Sequence, residues 1–200
     1  MGNVVLDISM SLDGFVTAPG ADREHGLGIG GEVLHEWVMD RQTPADAEVL
    51  DHGFSAAGAV LIGRRTFDFI DGPNGWQDDI GFGYEQDQSQ APPNFVVTHQ
   101  APTTTRLRSG FTFVTDGIDC ALRQAQDAAG GKEVTIMGAH LGRQYLAAGA
   151  VDEVRIHLAP VLLRDGTLLF DRATTRPVKL EQTNVIVTDA ATHLHYRVLG

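Results

Sequence analysis

The sequence predicts an α/β fold: a central, mostly parallel mixed sheet with helices on both faces and a C-terminal antiparallel β-hairpin. Three observations predict it. Short apolar runs rich in β-branched residues alternate with stretches of helical periodicity, the pattern of successive βα units. One run, Ala59-Val60-Leu61-Ile62, is apolar throughout, as a strand covered on both faces must be. The tail from Val178 to Val198 holds two alternating runs about Asp189-Ala190-Ala191, the pattern of a hairpin.

The elements follow in order. Val4 to Met10 reads as a strand, and a Gly-rich loop runs from about Pro19 to Gly31. Val33, Leu34, Trp37 and Val38 fall on one face of a helix, and Asp40 to Asp51 is a second helical segment with Pro44 near its start. Residues 71–94 are dense in glycine and proline, a surface excursion between the strand at Ala59 and the next at Phe95-Val96-Val97-Thr98. Phe111 to Val114 is a short strand. Ile118, Leu122, Ala125 and Ala129 form a helical stripe closed by Gly130-Gly131. Val134 to Met137 is a strand, and Leu141, Tyr145 and Leu146 mark a short helix ended by Gly149. Val154, Ile156 and Leu158 alternate with Arg155 and His157, so that strand is expected to be half-buried. The 200 residues are expected to form a single domain.

Composition narrows the function. There are 26 acidic against 15 basic residues, a formal net charge of −11, which repels phosphate backbones and disfavours nucleic-acid binding. No apolar run reaches the ~20 residues that span a bilayer, and the N-terminus lacks the basic segment of a signal peptide. The single Cys120 fits a reducing cytoplasm and sits in a helical pattern as a small core residue.

The best chemical signal is Leu61-Ile62-Gly63-Arg64-Arg65-Thr66-Phe67. A buried strand ends at glycine, and two arginines and a threonine open a helix, an arrangement suited to phosphate. Two similar strand ends follow, Val96-Val97-Thr98-His99 and Ile136-Met137-Gly138-Ala139-His140. Ligands of open α/β sheets bind outside the carboxyl ends of the strands, so three such ends point to an extended ligand with several phosphates, such as a dinucleotide. Gly26, Gly28 and Gly31 match G-x-G-x-x-G, but a polar loop precedes them instead of a strand, and a mobile lid is the better use for them. Ser11-Leu12-Asp13-Gly14 ends the first strand, either as a plain turn or as a carboxylate at the mouth of a site. His193 and His195 share one side of a strand, but no Cys or H-E-x-x-H accompanies them, and no metal is expected.

The order of these pieces, continued by Ala147-Ala148-Gly149-Ala150-Val151-Asp152-Glu153-Val154, Ala159-Pro160-Val161-Leu162-Leu163 and Leu168-Leu169-Phe170, resembles the reductase domain of the bifunctional riboflavin-biosynthesis deaminase–reductase and its stand-alone relatives. The resemblance runs from about Val4 to Phe170 and implies the dihydrofolate-reductase-like fold, with NADPH lying across the strand ends. It implies Gly63, Arg64, Arg65 and Thr66 at the cofactor phosphates, and Val97, Thr98 and His99 beside the 2′-phosphate. Met137, Gly138, Ala139, His140 and Leu141 would lie under the nicotinamide–pyrophosphate bridge. Met10, Ser11 and Gly14 would lie against the nicotinamide, with Asp13 as the polar contact to substrate. Trp37 is a candidate wall of the substrate pocket, under a lid from about Val16 to Gly31.

The chain departs from relatives at three points: Ala139 where Gly is common, Gln100 where Arg is common, and Arg164 where Gly is common. No deaminase half is present, so the resemblance implies a stand-alone NADPH-dependent reductase acting on a small heterocyclic or imine-like substrate, and a homodimer through the strand Asp152 to Pro160 and the turn after it. The alternatives are a non-catalytic NADP(H)-binding protein, a phosphate-ligand enzyme without redox chemistry, and a dihydrofolate reductase using Glu36 or Asp40.

Overall fold

A computed structural model describes residues 2–77, 79–108, 110–170 and 177–200; Met1, Asp78 and Ser109 lie outside it, as do 171–176. Its sheet holds eight strands: β1 (Val4–Ser11), β3 (Ala57–Gly63), β4 (Asn94–Val97), β5 (Phe111–Val114), β6 (Glu133–Met137), β7 (Glu153–Ala159), β9 (Lys179–Val187) and β10 (Thr192–Leu199). Their spatial order is β5-β4-β3-β6-β1-β7-β10-β9. The first six are parallel, and β10 and β9 close the edge as the antiparallel hairpin. β2 (Phe15–Thr17) and β8 (Thr167–Leu168) form a separate two-stranded ribbon that the sequence reading did not anticipate. Three residues and two are too few for a visible hydrophobic period.

Helices cover both faces. On one side lie α3 (Ile118–Ala129) and α4 (Ala139–Ala147), packed through Ala121, Ala125, Leu141 and Tyr145 onto Leu6, Leu61, Ile136 and Val154. Gly130 ends α3 in the left-handed region at φ 59°, where a Cβ is unfavourable. On the other side lie α1 (Pro44–Ala56) and α2 (Arg64–Ile70), with Phe67 and Ile70 of α2 on Val60, Ile62 and Val96. Thr43 starts α1 with a reciprocal cap: its hydroxyl accepts from the Asp46 amide, and the Asp46 carboxylate accepts from the Thr43 amide at 2.8 Å.

Two expectations are corrected. The helix expected over Val33–Val38 is a short 3-10 turn, Gly31–His35, entered from Gly30 at φ 75° and followed by further turns. β7 is not half-buried. Arg155 and His157, on its polar face, are 6% and 5% exposed. It is paired on both edges, by β1 and β10, so it cannot offer an edge to a second subunit; the open edge of the hairpin side is β9.

Candidate functional site

The parallel strands end along one side, at two heights. Gly63 lies beside Val97 and Ile62 beside Met137, so β4, β3 and β6 stop at one level and form a shelf. Leu6 lies beside Ile136, which puts Ile8 level with Gly138. β1 continues to Ser11, and β7 accompanies it, with Met10 beside Leu158 and Ser11 beside Ala159. At about 3.3 Å per residue, this wall rises ~10 Å above the shelf.

The shelf is built from small residues. Gly138 has φ 98°, and a Cβ there would stand 2.3 Å from Thr66 Oγ1. A Cβ on Gly63 would stand 3.7 Å from the Leu141 Cβ. Thr66 therefore sits over the β6–α4 turn, and Leu141 over the β3–α2 turn. α4 has no side-chain N-cap, and the Gly142 amide is bonded back to the Gly138 carbonyl at 3.0 Å. The amides of Ala139, His140 and Leu141 precede that first helical bond and open toward the shelf. The departure at Ala139 places its methyl in the core, 4% exposed, and not in the shelf.

The charged groups around the shelf are braced. Arg64 Nε donates to Asp68 at 2.8 Å, and its Nη1 donates to the Gln100 carbonyl at 3.1 Å. Thr98 Oγ1 donates to that same carbonyl at 2.9 Å, so the exit of β4 is fastened to the start of α2, with His99 exposed at the bend. Arg65 stacks its guanidinium 5.6 Å above the Phe69 ring and donates to the Ala21 carbonyl. The Gly-rich loop that carries Ala21 is tied down twice more, by Arg23 to Asp71 at 2.8 Å and by Asn74 to the Glu24 carbonyl. The loop begins later than expected: Val16, Thr17 and Ala18 are buried, and Phe15 and Thr17 pair with β8.

Asp13 stands at the top of the wall, but its oxygens are taken. It accepts from Ser11 Oγ at 2.6 Å and from the amides of Leu163 at 3.1 Å and Arg164 at 2.7 Å. The Ser11 hydrogen bond, and then the two amides, hold its carboxyl below the ordinary carboxylate range. It is therefore ionised at neutral pH and is no proton donor. Arg164 occupies the positive-φ position of this turn, φ 67°, a conformation that favours glycine. The exposed Leu12, Leu162, Leu168 and Phe170 surround it as an apolar rim.

Trp37 is not at this mouth. It is 4% exposed, donates from Nε1 to Ser9 Oγ at 3.0 Å, and packs its ring 4.3 Å from that of His157 and 4.9 Å from that of His193. Neither carboxylate of the folate alternative gains a site either: Glu36 pairs with Arg41, and Asp40 is exposed.

What the sequence reading missed lies beneath Trp37. Asp7, His157, His193 and Asp46 form a buried line of hydrogen bonds: Asp7 Oδ1 to His157 Nε2 at 2.9 Å, His157 Nδ1 to His193 Nδ1 at 2.7 Å, and His193 Nε2 to Asp46 Oδ1 at 2.8 Å. Beside it a cavity of about 300 Å³ opens between α1 and the sheet, lined among others by Asp7, Arg155, His157, His195, Glu48 and His52. Alternation of polar residues along β1 and β7 was the available signal, but it reads equally well as a solvated face. No cluster among the described residues has the ligands for a metal ion.

The fold is shared with known structures. A protein named for riboflavin biosynthesis from Shewanella sp. PV-4 is 20% identical over all of both chains, with a TM-score of 0.66. RibD of Acinetobacter baumannii is 20% identical, with a TM-score of 0.67; the chain spans 59% of its length. Dihydrofolate reductase from Enterococcus faecalis, complexed with NADP(H), is 13% identical over 98% of this chain and 96% of that one, with a TM-score of 0.59. Among curated proteins none matches. The fold is thus that of dihydrofolate reductase, and with the model of the RibD C-terminal domain matching residues 3–194, the chain belongs to that family.

Proposed function

We propose that the chain is a single-domain reductase that uses NADPH to reduce a small heterocyclic or imine-like substrate. The observation that carries this reading is the interlock of Thr66 with Gly138, which holds two strand ends and the open amides of α4 in one small-residue shelf. A Cβ at position 138 would fill the cradle, and the shelf width of three adjacent strands suits an extended dinucleotide. Family membership, and the NADP(H) named in the complex of the Enterococcus enzyme, support the choice of cofactor.

When bound, NADPH supplies the hydride; the protein supplies position and exclusion of water. Arg64, Arg65 and Thr66 hold the phosphates, and Thr98 and His99 face the 2′-phosphate. The amides of Ala139, His140 and Leu141 take the pyrophosphate next to Gly138. Met10, Ser11 and Gly14 form the wall against the nicotinamide. Asp13 is a positioning residue: by holding the Leu163 and Arg164 amides, it fixes the rim under which the substrate ring lies. The loop through Ala21 and Arg23 covers α2 and excludes water, released and replaced as substrate passes. We also place the enzyme in the cytoplasm, as a homodimer joined through the exposed Leu180, Val185 and Val187 of β9.

The test is separate titration with NADPH and NADH, followed by quenching of Trp37 and Trp76. NADPH binding at least tenfold tighter, about 1.4 kcal/mol, with turnover of a pyrimidine, pterin or imine substrate, is the expected result. Equal binding removes the 2′-phosphate assignment of Thr98 and His99. Binding of neither overturns the reading.

A further inference from the structure

The line Asp7–His157–His193–Asp46 is short of a proton if both of its imidazoles are neutral. It has three contacts, all within 2.9 Å, between four groups. Each contact needs one proton, since two bare acceptors repel at that distance. Asp46 acts only as an acceptor: it takes the Thr43 amide and hydroxyl, and the Thr188 hydroxyl at 2.9 Å. The proton of the last contact therefore sits on His193 Nε2. Asp7 is ionised as well: burial opposes this, but His157 and then Arg155 hold its carboxyl below the ordinary range. The first contact thus takes its proton from His157 Nε2. Two neutral imidazoles carry two protons between them, and both are now spent. The Nδ1 to Nδ1 contact at 2.7 Å is left with two lone pairs face to face unless a third proton is present.

We propose that His157 and His193 are a built proton-binding site, which holds one excess proton between its two Nδ1 atoms and thereby docks α1 and the hairpin turn onto the sheet. The surroundings agree. Two carboxylates, Asp7 from β1 and Asp46 from α1, flank one positive charge. The nearby Arg155 is neutralised by Glu133 at 2.7 Å and Glu153 at 3.1 Å, so it does not cancel them. The other titratable neighbours are His35 after the Gly-rich loop, His195 on β10, and Glu48 and His52 on α1. Burial and the charge of His157 hold His35 neutral. Burial and the charges of Arg155 and His157 do the same for His195. Glu48 and His52 face the cavity. Burial lowers the His193 pKa, opposed by the Asp46 hydrogen bond. The proton has a route, because Asp7 and His157 line the cavity while His193 and Asp46 are fully enclosed.

The sign follows. Release of the shared proton as pH rises sets the two Nδ1 lone pairs face to face, so the stability carried by that contact is lost as the proton leaves. The contact it holds joins β7 to β10, and through Asp46 the same line reaches the cap of α1 and the Thr188 turn.

The experiment is nitrogen and proton NMR of the full chain labelled at its histidine ring nitrogens, from pH 6 to 9. The expected result at pH 7 is two rings protonated at Nε2 that share a third, far-downfield proton on Nδ1, with one proton lost by the two rings together as pH rises. Two neutral rings with one N–H each at pH 7 would overturn the proposal. A second reading uses urea midpoints. The folding constant of the wild type falls up to tenfold per pH unit through the titration window, and His193→Gln and His157→Gln lose that component. A wild-type component that persists in folded variants would also overturn it. Should the variants not fold, the wild-type spectrum decides alone.

Discussion

The shelf at the strand ends and the polar face under α1 lie on one sheet, yet they are held by opposite means. At the shelf, side chains are small, the contacts are between turns, and charged groups are braced by partners close by, as Arg64 is by Asp68 and Gln100. Under α1, four ionisable side chains from four separate elements depend on one another, with Trp37 sealing them. The first arrangement leaves backbone groups unspent and free for a ligand. The second spends the groups of that line on the fold. A site that binds must keep vacant hydrogen-bonding capacity, and at the shelf that capacity lies in the backbone.

The contrast can be broken from the structural side first. Asp46→Ala removes the cap of α1 and the partner of His193 together, leaving a buried imidazole unpaired. We expect a loss of ~3–5 kcal/mol in urea unfolding, with NADPH affinity of the remaining folded protein unchanged. Gly138→Ala should behave the other way. Positive φ costs about 1–2 kcal/mol of stability, while the displaced Thr66 lowers NADPH affinity at least tenfold in fluorescence titration. His35 then separates the two pH effects of the buried face. Burial pushes its pKa down to about 4, so the unfolded chain binds more protons as pH falls from about 6.5. Stability is lost over that acid range by roughly 3 kcal/mol, and a His35→Gln variant flattens it while leaving the alkaline limb. Arg64→Gln should weaken NADPH about three- to tenfold, with the urea midpoint scarcely moved, because its ion pair is half exposed. The smallest effect is expected for Asp13→Asn. The shape is kept, one amide loses its acceptor, and steady-state kinetics should show a rise in KM of a few-fold with little change in kcat.

Legibility in the sequence follows the same division. The shelf could be read because each of its turns lies within a few residues of a strand end: Gly63-Arg64-Arg65-Thr66 and Met137-Gly138-Ala139 are local strings with local physics. The parallel sheet and the terminal hairpin were readable for the same reason. The polar line was not, because its contacts join residues 150, 36 and 147 positions apart. Arg155 and His157 gave the alternation of a wet strand, and only the arrival of α1 and β10 over that face makes it dry. Trp37 was misplaced for a related reason. Its apolar spacing suited a helix lining a pocket, but Gly30 turns the chain into a 3-10 segment that presents the indole to Ser9 and the histidines. Asp13 matched a motif, and only its three hydrogen bonds show that it serves a turn.

The hairpin has a consequence for the order in which the molecule can be made. β10 pairs with β7 along six residues and carries His193 and the buried Ala190–Ala191 turn against Trp37. During synthesis it leaves the ribosome after every other element described here. Until it does, β7 has an open edge, and Asp7, Asp46 and His157 have no fourth partner. The shelf needs only strands already made. A nascent chain can therefore shape its ligand-facing side early, while its other side waits on β10. Cells short of the chaperones that shield such an edge should accumulate aggregates seeded there.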